Sequence, residues 1–145
     1  MVFADFGMMT VEDAAHRTGV RQREISRWAR TGEITAKFVG RMAVLPDEAI
    51  GQIQAKAENW TGENGGRKSG MYKSILRDSL EDYMNLQTAA SLVGRDTMTI
   101  RRWIEDGSLQ GYRFGLHEVY VNRFDVENIR ANIAANHRPF EPAKG

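Results

Sequence analysis

The strongest constraint on the fold is that the sequence matches itself at an offset of 75 residues. The matches, in one order along the chain, are Ala14-Ala15 with Ala89-Ala90, Gly19 with Gly94, Ile25 with Ile100, Arg27-Trp28 with Arg102-Trp103, Gly32 with Gly107, Ile34 with Leu109, and Gly40 with Gly115. An Arg-Trp pair in register with three glycines and an Ala-Ala pair is hard to obtain by chance. We therefore interpret the chain as two copies of one small domain.

The repeat predicts four segments in the 145-residue chain. We assign residues 8–60 to the first domain, 61–71 to a linker, 72–136 to a helix plus the second domain, and 137–145 to a flexible tail. The run 62–70 holds four glycines among polar residues, which is typical of a flexible connector. Apolar residues recur at helical spacing from Tyr72 to Tyr83 and predict an amphipathic helix there.

Each copy is predicted to run helix, helix, hairpin, helix. The candidate helix caps and ends are Thr10, Gly19, Asn85 and Asp96, and the inward-facing residues of each second helix include Ile25, Trp28, Ile100 and Trp103. Residues 34–45 and 109–121 each place a glycine between two β-prone runs, which predicts a hairpin. The expected fold class is therefore mainly α with small β-hairpin wings.

Basic residues concentrate in the first copy, although the net charge of the chain is only +1. Residues 15–41 contain seven basic and two acidic side chains, whereas residues 95–117 contain four and three. A local positive excess is the electrostatic footprint of a polyanion-binding surface. We expect the first copy to supply most of the salt-dependent binding and the second copy to add sequence discrimination.

Several classes of function are disfavoured by what the sequence lacks. It contains no cysteine and only three scattered histidines, so disulfides, thiolate chemistry and a zinc cluster are not expected. We find neither a recurring Ser, His and carboxylate set nor a phosphate-cradling glycine loop. No apolar run is long enough to cross a bilayer. We expect a cytoplasmic protein that is not an enzyme and needs no cofactor and no metal.

Two short helices joined by a tight glycine turn form a helix-turn-helix unit, whose second helix can lie in a major groove. In the second copy Ala89-Ala90, the run Ile100–Ile104, Gly107 and the run Tyr112–Gly115 resemble the excisionase and MerR-like winged helix-turn-helix DNA-binding domains. The first copy resembles them more loosely, since Arg21 stands where the family usually places a capping Ser or Thr. The resemblance implies two such domains, joined by a flexible linker, that bind double-stranded DNA.

The resemblance also implies which residues face DNA. The groove-facing candidates are Gln22, Arg23, Ser26, Arg27 and Arg30 in the first copy and Thr97, Met98, Arg101 and Arg102 in the second, and the wing candidates are Lys37, Arg41, Arg113 and His117. Arginines at such positions bind either guanine edges or phosphates, and the sequence does not separate the two roles. Met98 is either a thymine-methyl contact or simply exposed. Trp28 and Trp103 fit core packing better than base stacking.

Three functions fit these features. The first is a phage or other prokaryotic transcriptional regulator or repressor, bound as a monomer at an asymmetric element of two half-sites and located in the bacterial cytoplasm at the nucleoid. The second is an excisionase-like recombination directionality factor that bends DNA and recruits an integrase. The third is an assembly adaptor resembling a packaging subunit, whose interface would be the predicted helix 72–83. The expected partners are double-stranded DNA and either the transcription machinery or an integrase, with no membrane.

Overall fold

The structure, a computed structural model, describes residues 7–60 and 71–140. The glycine-rich run 62–70 and residues 141–145 of the predicted tail lie outside the described residues. Of the described residues, 51% are helical and 21% lie in strands, so the fold is mixed α/β with two small sheets. The predicted mainly α class is corrected accordingly, because strands outside the wing hairpins enlarge both sheets. No helix within the two described ranges is long and apolar enough to span a membrane.

The first half, residues 7–60, contains three helices around one three-stranded sheet. Its elements are β1 (Met8–Thr10), α1 (Val11–Thr18), α2 (Gln22–Arg30), β2 (Lys37–Val39), β3 (Met42–Pro46) and α3 (Glu48–Glu58). The sheet is antiparallel with the order β1-β3-β2, and Met9 lies opposite Leu45 while Phe38 lies opposite Ala43. We call the β2–β3 hairpin the first wing.

The second half, residues 71–140, repeats this order after an additional strand and a 3-10 helix. Its elements are β4 (Tyr72–Ser74), the 3-10 helix (Arg77–Asp82), β5 (Tyr83–Asn85), α4 (Leu86–Val93), α5 (Thr97–Glu105), β6 (Gly111–Phe114), β7 (Glu118–Asn122) and α6 (Arg123–Ala134). The sheet order is β4-β6-β7-β5, with β4 parallel to β6 and the other pairs antiparallel. We call the β6–β7 hairpin the second wing.

The predicted helix caps are confirmed. The side-chain oxygens of Thr10, Asn85 and Asp96 each accept a hydrogen bond from the backbone N–H three residues further on, at 3.0, 2.8 and 2.8 Å. These bonds satisfy N–H groups that have no partner inside the helix. Gly19, with φ of +77°, ends α1 in the left-handed conformation that glycine adopts readily. Arg21 precedes α2 and provides no side-chain cap.

The two matching tryptophans of the repeat pack in or against the hydrophobic cores. Trp28 is 3% exposed within the first core, as predicted. Trp103 packs against the second core, and the ring of Phe140 meets it edge-on with centroids 5.0 Å apart. The side chain of Asn132 also donates to the carbonyl of Pro139 at 2.9 Å. Residues 137–140 therefore fold back onto the domain, and the predicted flexible tail is wrong for this part.

The predicted amphipathic helix from Tyr72 to Tyr83 is also wrong. Residues 72–74 form β4, which pairs with β6, and residues 77–82 form the 3-10 helix. Tyr72 is buried beside Gly111, where a Cβ atom would lie 2.7 Å from the tyrosine ring. Pairing with a strand that is distant in sequence decides the conformation of this segment, and the local apolar spacing does not contain that information.

Candidate nucleic-acid interface

Helix α2 presents a basic face opposite its buried stripe. Ile25, Trp28 and Ala29 point into the first core, since they recur at helical spacing and are buried. The outward positions agree with the predicted groove-facing set: Gln22, Arg23, Arg27 and Arg30 are exposed and Ser26 is half-buried. The helix thus brings three exposed arginines together on one surface.

One of these arginines is engaged in an ion pair. The guanidinium of Arg27 contacts the carboxylate of Glu24 one turn earlier on the helix. The side chain of Arg27 keeps 52% of its exposure, so a phosphate can compete with this surface pair, which contributes little in water. Nearby, Lys56 pairs with Glu33 and, together with Thr31, lowers the pKa of Glu33. Glu24 and Glu33 therefore already have cationic partners.

Helix α5 has the equivalent arrangement with fewer charges. Ile100 and Ile104 are buried, whereas the four predicted contacts are all exposed: Thr97, Met98, Arg101 and Arg102. Met98 is 62% exposed, and a single exposed apolar side chain of this kind is common on protein surfaces. Hydrogen bonds from Thr99 lower the pKa of Asp96, so the cap of this helix is ionised at neutral pH.

The first wing is open to a partner. Both predicted contact residues, Lys37 and Arg41, are exposed. Between and beside them Phe38, Val39 and Met42 are 49%, 59% and 43% exposed. A hairpin with basic side chains around exposed apolar ones has the chemistry of a surface that contacts a nucleic acid groove.

The second wing differs, because Arg113 is buried and 1% exposed. Its Nη1 group donates to the carbonyl oxygens of Ala57 at 3.0 Å and Trp60 at 3.1 Å in the first half. Its guanidinium also lies 4.9 Å from the centroid of the Tyr72 ring. The prediction that Arg113 contacts DNA is therefore wrong, since it joins the two halves instead. The matching position in the first copy holds Phe38, which is 49% exposed, so the repeat did not indicate that Arg113 is buried.

The tip of the second wing packs onto the turn between α1 and α2. The N–H of Gly115 donates to the carbonyl of Thr18 at 2.9 Å, and Leu116 is buried in the first core. A Cβ atom on Gly19 would lie 2.7 Å from the Phe114 ring, so the two surfaces are in close contact. Gly19 and Gly115 were predicted to end a helix and to form a hairpin turn, and no contact between the halves was predicted for them. The local sequence does not distinguish a docked wing from an exposed one.

An open cleft of about 1190 Å³ lies beside this contact. The second wing contributes His117, which is exposed, and the start of α2 contributes the run Arg21–Glu24. His117 is therefore at the surface as predicted, but it lies beside the first helix-turn-helix unit. Arg77 also lines the cleft, and its Nε group donates to the carbonyl of His16 at 2.6 Å.

Within residues 7–60 and 71–140, no group of three His, Asp or Glu side chains is placed to hold a metal ion. The candidate contact elements are the exposed faces of α2 and α5 and the exposed first wing, whereas the second wing is docked on the first half. No protein family, no curated protein and no solved structure matches this chain.

Proposed function

We propose that this chain is a sequence-specific double-stranded DNA-binding protein made of two winged helix-turn-helix domains, with α2 and α5 as the recognition helices. The observation that carries this proposal is the shared placement of Arg27 and Arg102. Each is exposed and directly precedes a tryptophan that packs on its own core. A nine-residue helix with a buried stripe and an arginine-bearing outer face suits insertion into a major groove.

The charge distribution supports unequal contributions from the two helices. Arg23 and Arg30 add exposed positive charge to α2, and Lys37 and Arg41 extend it onto the first wing. In the second half the burial of Arg113 removes one cation from the surface. We therefore assign most of the phosphate contacts to the first half, and with them most of the salt dependence. The second half contributes base discrimination through Arg101, Arg102 and Met98.

A transcriptional regulator or repressor of a phage or other prokaryotic element is the function that we favour. The two halves are similar but unequal, so a monomer presents an asymmetric surface and selects an asymmetric element of two half-sites. Such a protein acts at the bacterial nucleoid, and its protein partner is the transcription machinery. An excisionase-like factor would use the same surface but bend the DNA and recruit an integrase.

An assembly adaptor is less well supported. Its interface would have been a helix from Tyr72 to Tyr83, whereas Tyr72 is buried and β4 pairs with β6. The exposed face of α2 is cationic, which suits a polyanion better than the apolar face of a second protein.

The test is selection from a pool of random duplexes by the full chain, at two salt concentrations. We expect one composite motif of two unequal half-sites. The double variant Arg101→Ala/Arg102→Ala is expected to lose the preference in one half-site while it keeps the other. Arg130→Ala is the matched control, because Arg130 is an exposed arginine on α6 outside both helix faces. Failure to enrich any motif at either salt concentration would reject sequence-specific binding.

A further inference from the structure

We propose that the second wing serves the first recognition helix, so that His117 contacts the DNA backbone of the half-site read by α2. This inference rests on the proposed DNA-binding function. In the resembling domains a wing contacts DNA next to its own recognition helix, whereas the contacts below place this wing beside the other one.

The tip of the second wing is fixed to the first half. Gly115 donates a hydrogen bond of 2.9 Å to the carbonyl of Thr18. Phe114 covers Gly19, and Leu116 is 7% exposed within the first core. Three consecutive residues are thus engaged directly before His117. The position of His117 is set by the turn that leads into α2.

Basic and hydrogen-bond-donating side chains line the cleft at His117. Arg21 and Arg23 lie on the α2 side of the cleft and are exposed, as is His117 on the wing side. These side chains are hydrogen-bond donors or cations of the kind that bind phosphate oxygens. A duplex bound on α2 would therefore lie next to His117 on the second wing.

Acidic side chains also line the cleft. Glu12 and Asp13 do so from α1, Glu24 from α2, where it is paired with Arg27, and Glu118 from the wing next to His117. Because Glu12 and Asp13 repel a phosphate backbone, we place the DNA toward α2 and His117 and away from α1.

The chain contains no cysteine, so single cysteines can carry an iron chelate that cleaves nearby DNA without background labelling. We would compare Gln22→Cys on α2, Met98→Cys on α5 and His117→Cys on the second wing, each bound to the selected duplex. All three positions are exposed, so labelling leaves the cores intact. The expected result is that cuts from position 117 overlap those from position 22 and are separate from those from position 98.

Two outcomes overturn this inference while the proposed function stands: cuts from 117 that coincide with those from 98, or cuts from 22 and 98 with none from 117. Because these positions lie in the proposed contact surface, retention of the duplex by each labelled chain is first measured by fluorescence anisotropy. An absence of localised cuts from all three positions in chains that still bind the duplex overturns sequence-specific binding and this inference together. A second variant, Gly115→Ala in the His117→Cys chain, loosens the docked tip. We expect its cuts to lose their register with those from position 22, and unchanged register would contradict the inference.

Discussion

The backbone N–H of Gly115 and the carbonyl oxygen of Thr18 form a 2.9 Å hydrogen bond that joins the second wing to the first helix-turn-helix unit. Gly115 has a φ of +72°, and a Cβ atom there would lie 2.4 Å from the carbonyl oxygen of Gly19. Both the backbone conformation and the close approach therefore require glycine. Together with buried Arg113, this contact sets how the two halves meet.

Gly115→Ala is expected to lower the free energy of unfolding by more than about 2 kcal/mol, because it adds steric overlap to the strain of a left-handed alanine. The matched control is Gly40→Ala at the tip of the first wing. Gly40 has a φ of +65° but has nothing within 4 Å of its Cβ position, so only the backbone strain applies. Urea denaturation of both variants measures the difference, and equal losses would contradict a docked second wing.

Arg113→Ala is expected to cost about 3 kcal/mol of stability, since it leaves a cavity and removes the donor from two carbonyl oxygens. Arg101→Ala, at an exposed arginine in the same half, should change stability by less than about 0.5 kcal/mol. Thermal or urea unfolding of the two variants tests this contrast. A neutral effect of Arg113→Ala would show that Arg113 is not a structural link between the halves.

Replacing Arg23 or Arg30 by alanine is expected to weaken binding to all duplexes alike. Each substitution should reduce the slope of log K against log salt concentration by about one, because one phosphate contact is lost. Fluorescence anisotropy over a salt series provides the slope, with Arg130→Ala as the control of equal charge change. An unchanged slope in both α2 variants would mean that α2 is not the main phosphate-binding element.

Acid should destabilise α5, because protonation of Asp96 weakens the N-terminal cap of this helix. The backbone N–H and the hydroxyl of Thr99 each donate to Asp96 at 2.8 Å and hold the pKa of Asp96 below its ordinary value of 3.8. A lowered pKa in the folded state means that this stabilisation is present above the ordinary pKa and is lost as pH falls through the lowered value. Asp96→Asn keeps a capping oxygen but does not titrate in this range.

The measurement is the urea midpoint of both proteins at neutral pH and at about pH 2. The wild-type chain also contains Glu33 and Asp106, whose pKa values are lowered, so both proteins should lose stability in acid. The Asn variant should lose less. An equal loss would show that the Asp96 carboxylate does not stabilise the cap beyond what an amide provides.

Linker length should have little effect on the spacing of the two half-sites. If the halves are held by the second wing, four additional glycines between residues 64 and 65 leave the selected spacing unchanged. Gly115→Ala combined with that insertion should broaden the selected spacings, because the linker then limits the separation. Selection and sequencing with the three chains measures the distribution. A spacing that changes with the insertion alone would indicate two independently tethered domains.

The elements predicted correctly from sequence are those with local causes. Thr10, Asn85 and Asp96 cap helices through bonds that span three residues, and Gly19 ends a helix through its own backbone freedom. These features depend on neighbours in the sequence, and the Thr10 and Gly19 features recur in the second copy at Asn85 and Gly94. The exposed face of α2 followed from the same helical spacing that buried Trp28.

The errors have non-local causes. Residues 72–82 have helical spacing, yet β4 gains its hydrogen bonds from β6, which is distant in sequence. Arg113 was predicted to contact DNA because it lies in a wing, whereas its guanidinium donates hydrogen bonds to carbonyl oxygens at and just after the end of α3. Phe140 covers Trp103 across more than thirty residues of chain, which composition alone does not indicate. Contacts between the halves are the part of this fold that a repeat cannot reveal, because they are made only once.

The contact between the second wing and the turn after α1 is made only one way round within the molecule. The matching elements, the first wing and the turn after α4, do not make it. If they made it between molecules, successive head-to-tail contacts would produce a polymer. Gly40 and Gly94 match Gly115 and Gly19, the two glycines of that contact, and have nothing within 4 Å of their Cβ positions. However, the positions matching Leu116 and Val20 hold Arg41 and Arg95. Leu116 and Val20 belong to the same core, so an added link would bring Arg41 and Arg95 into one contact region. We therefore expect like-charge repulsion to disfavour such a link.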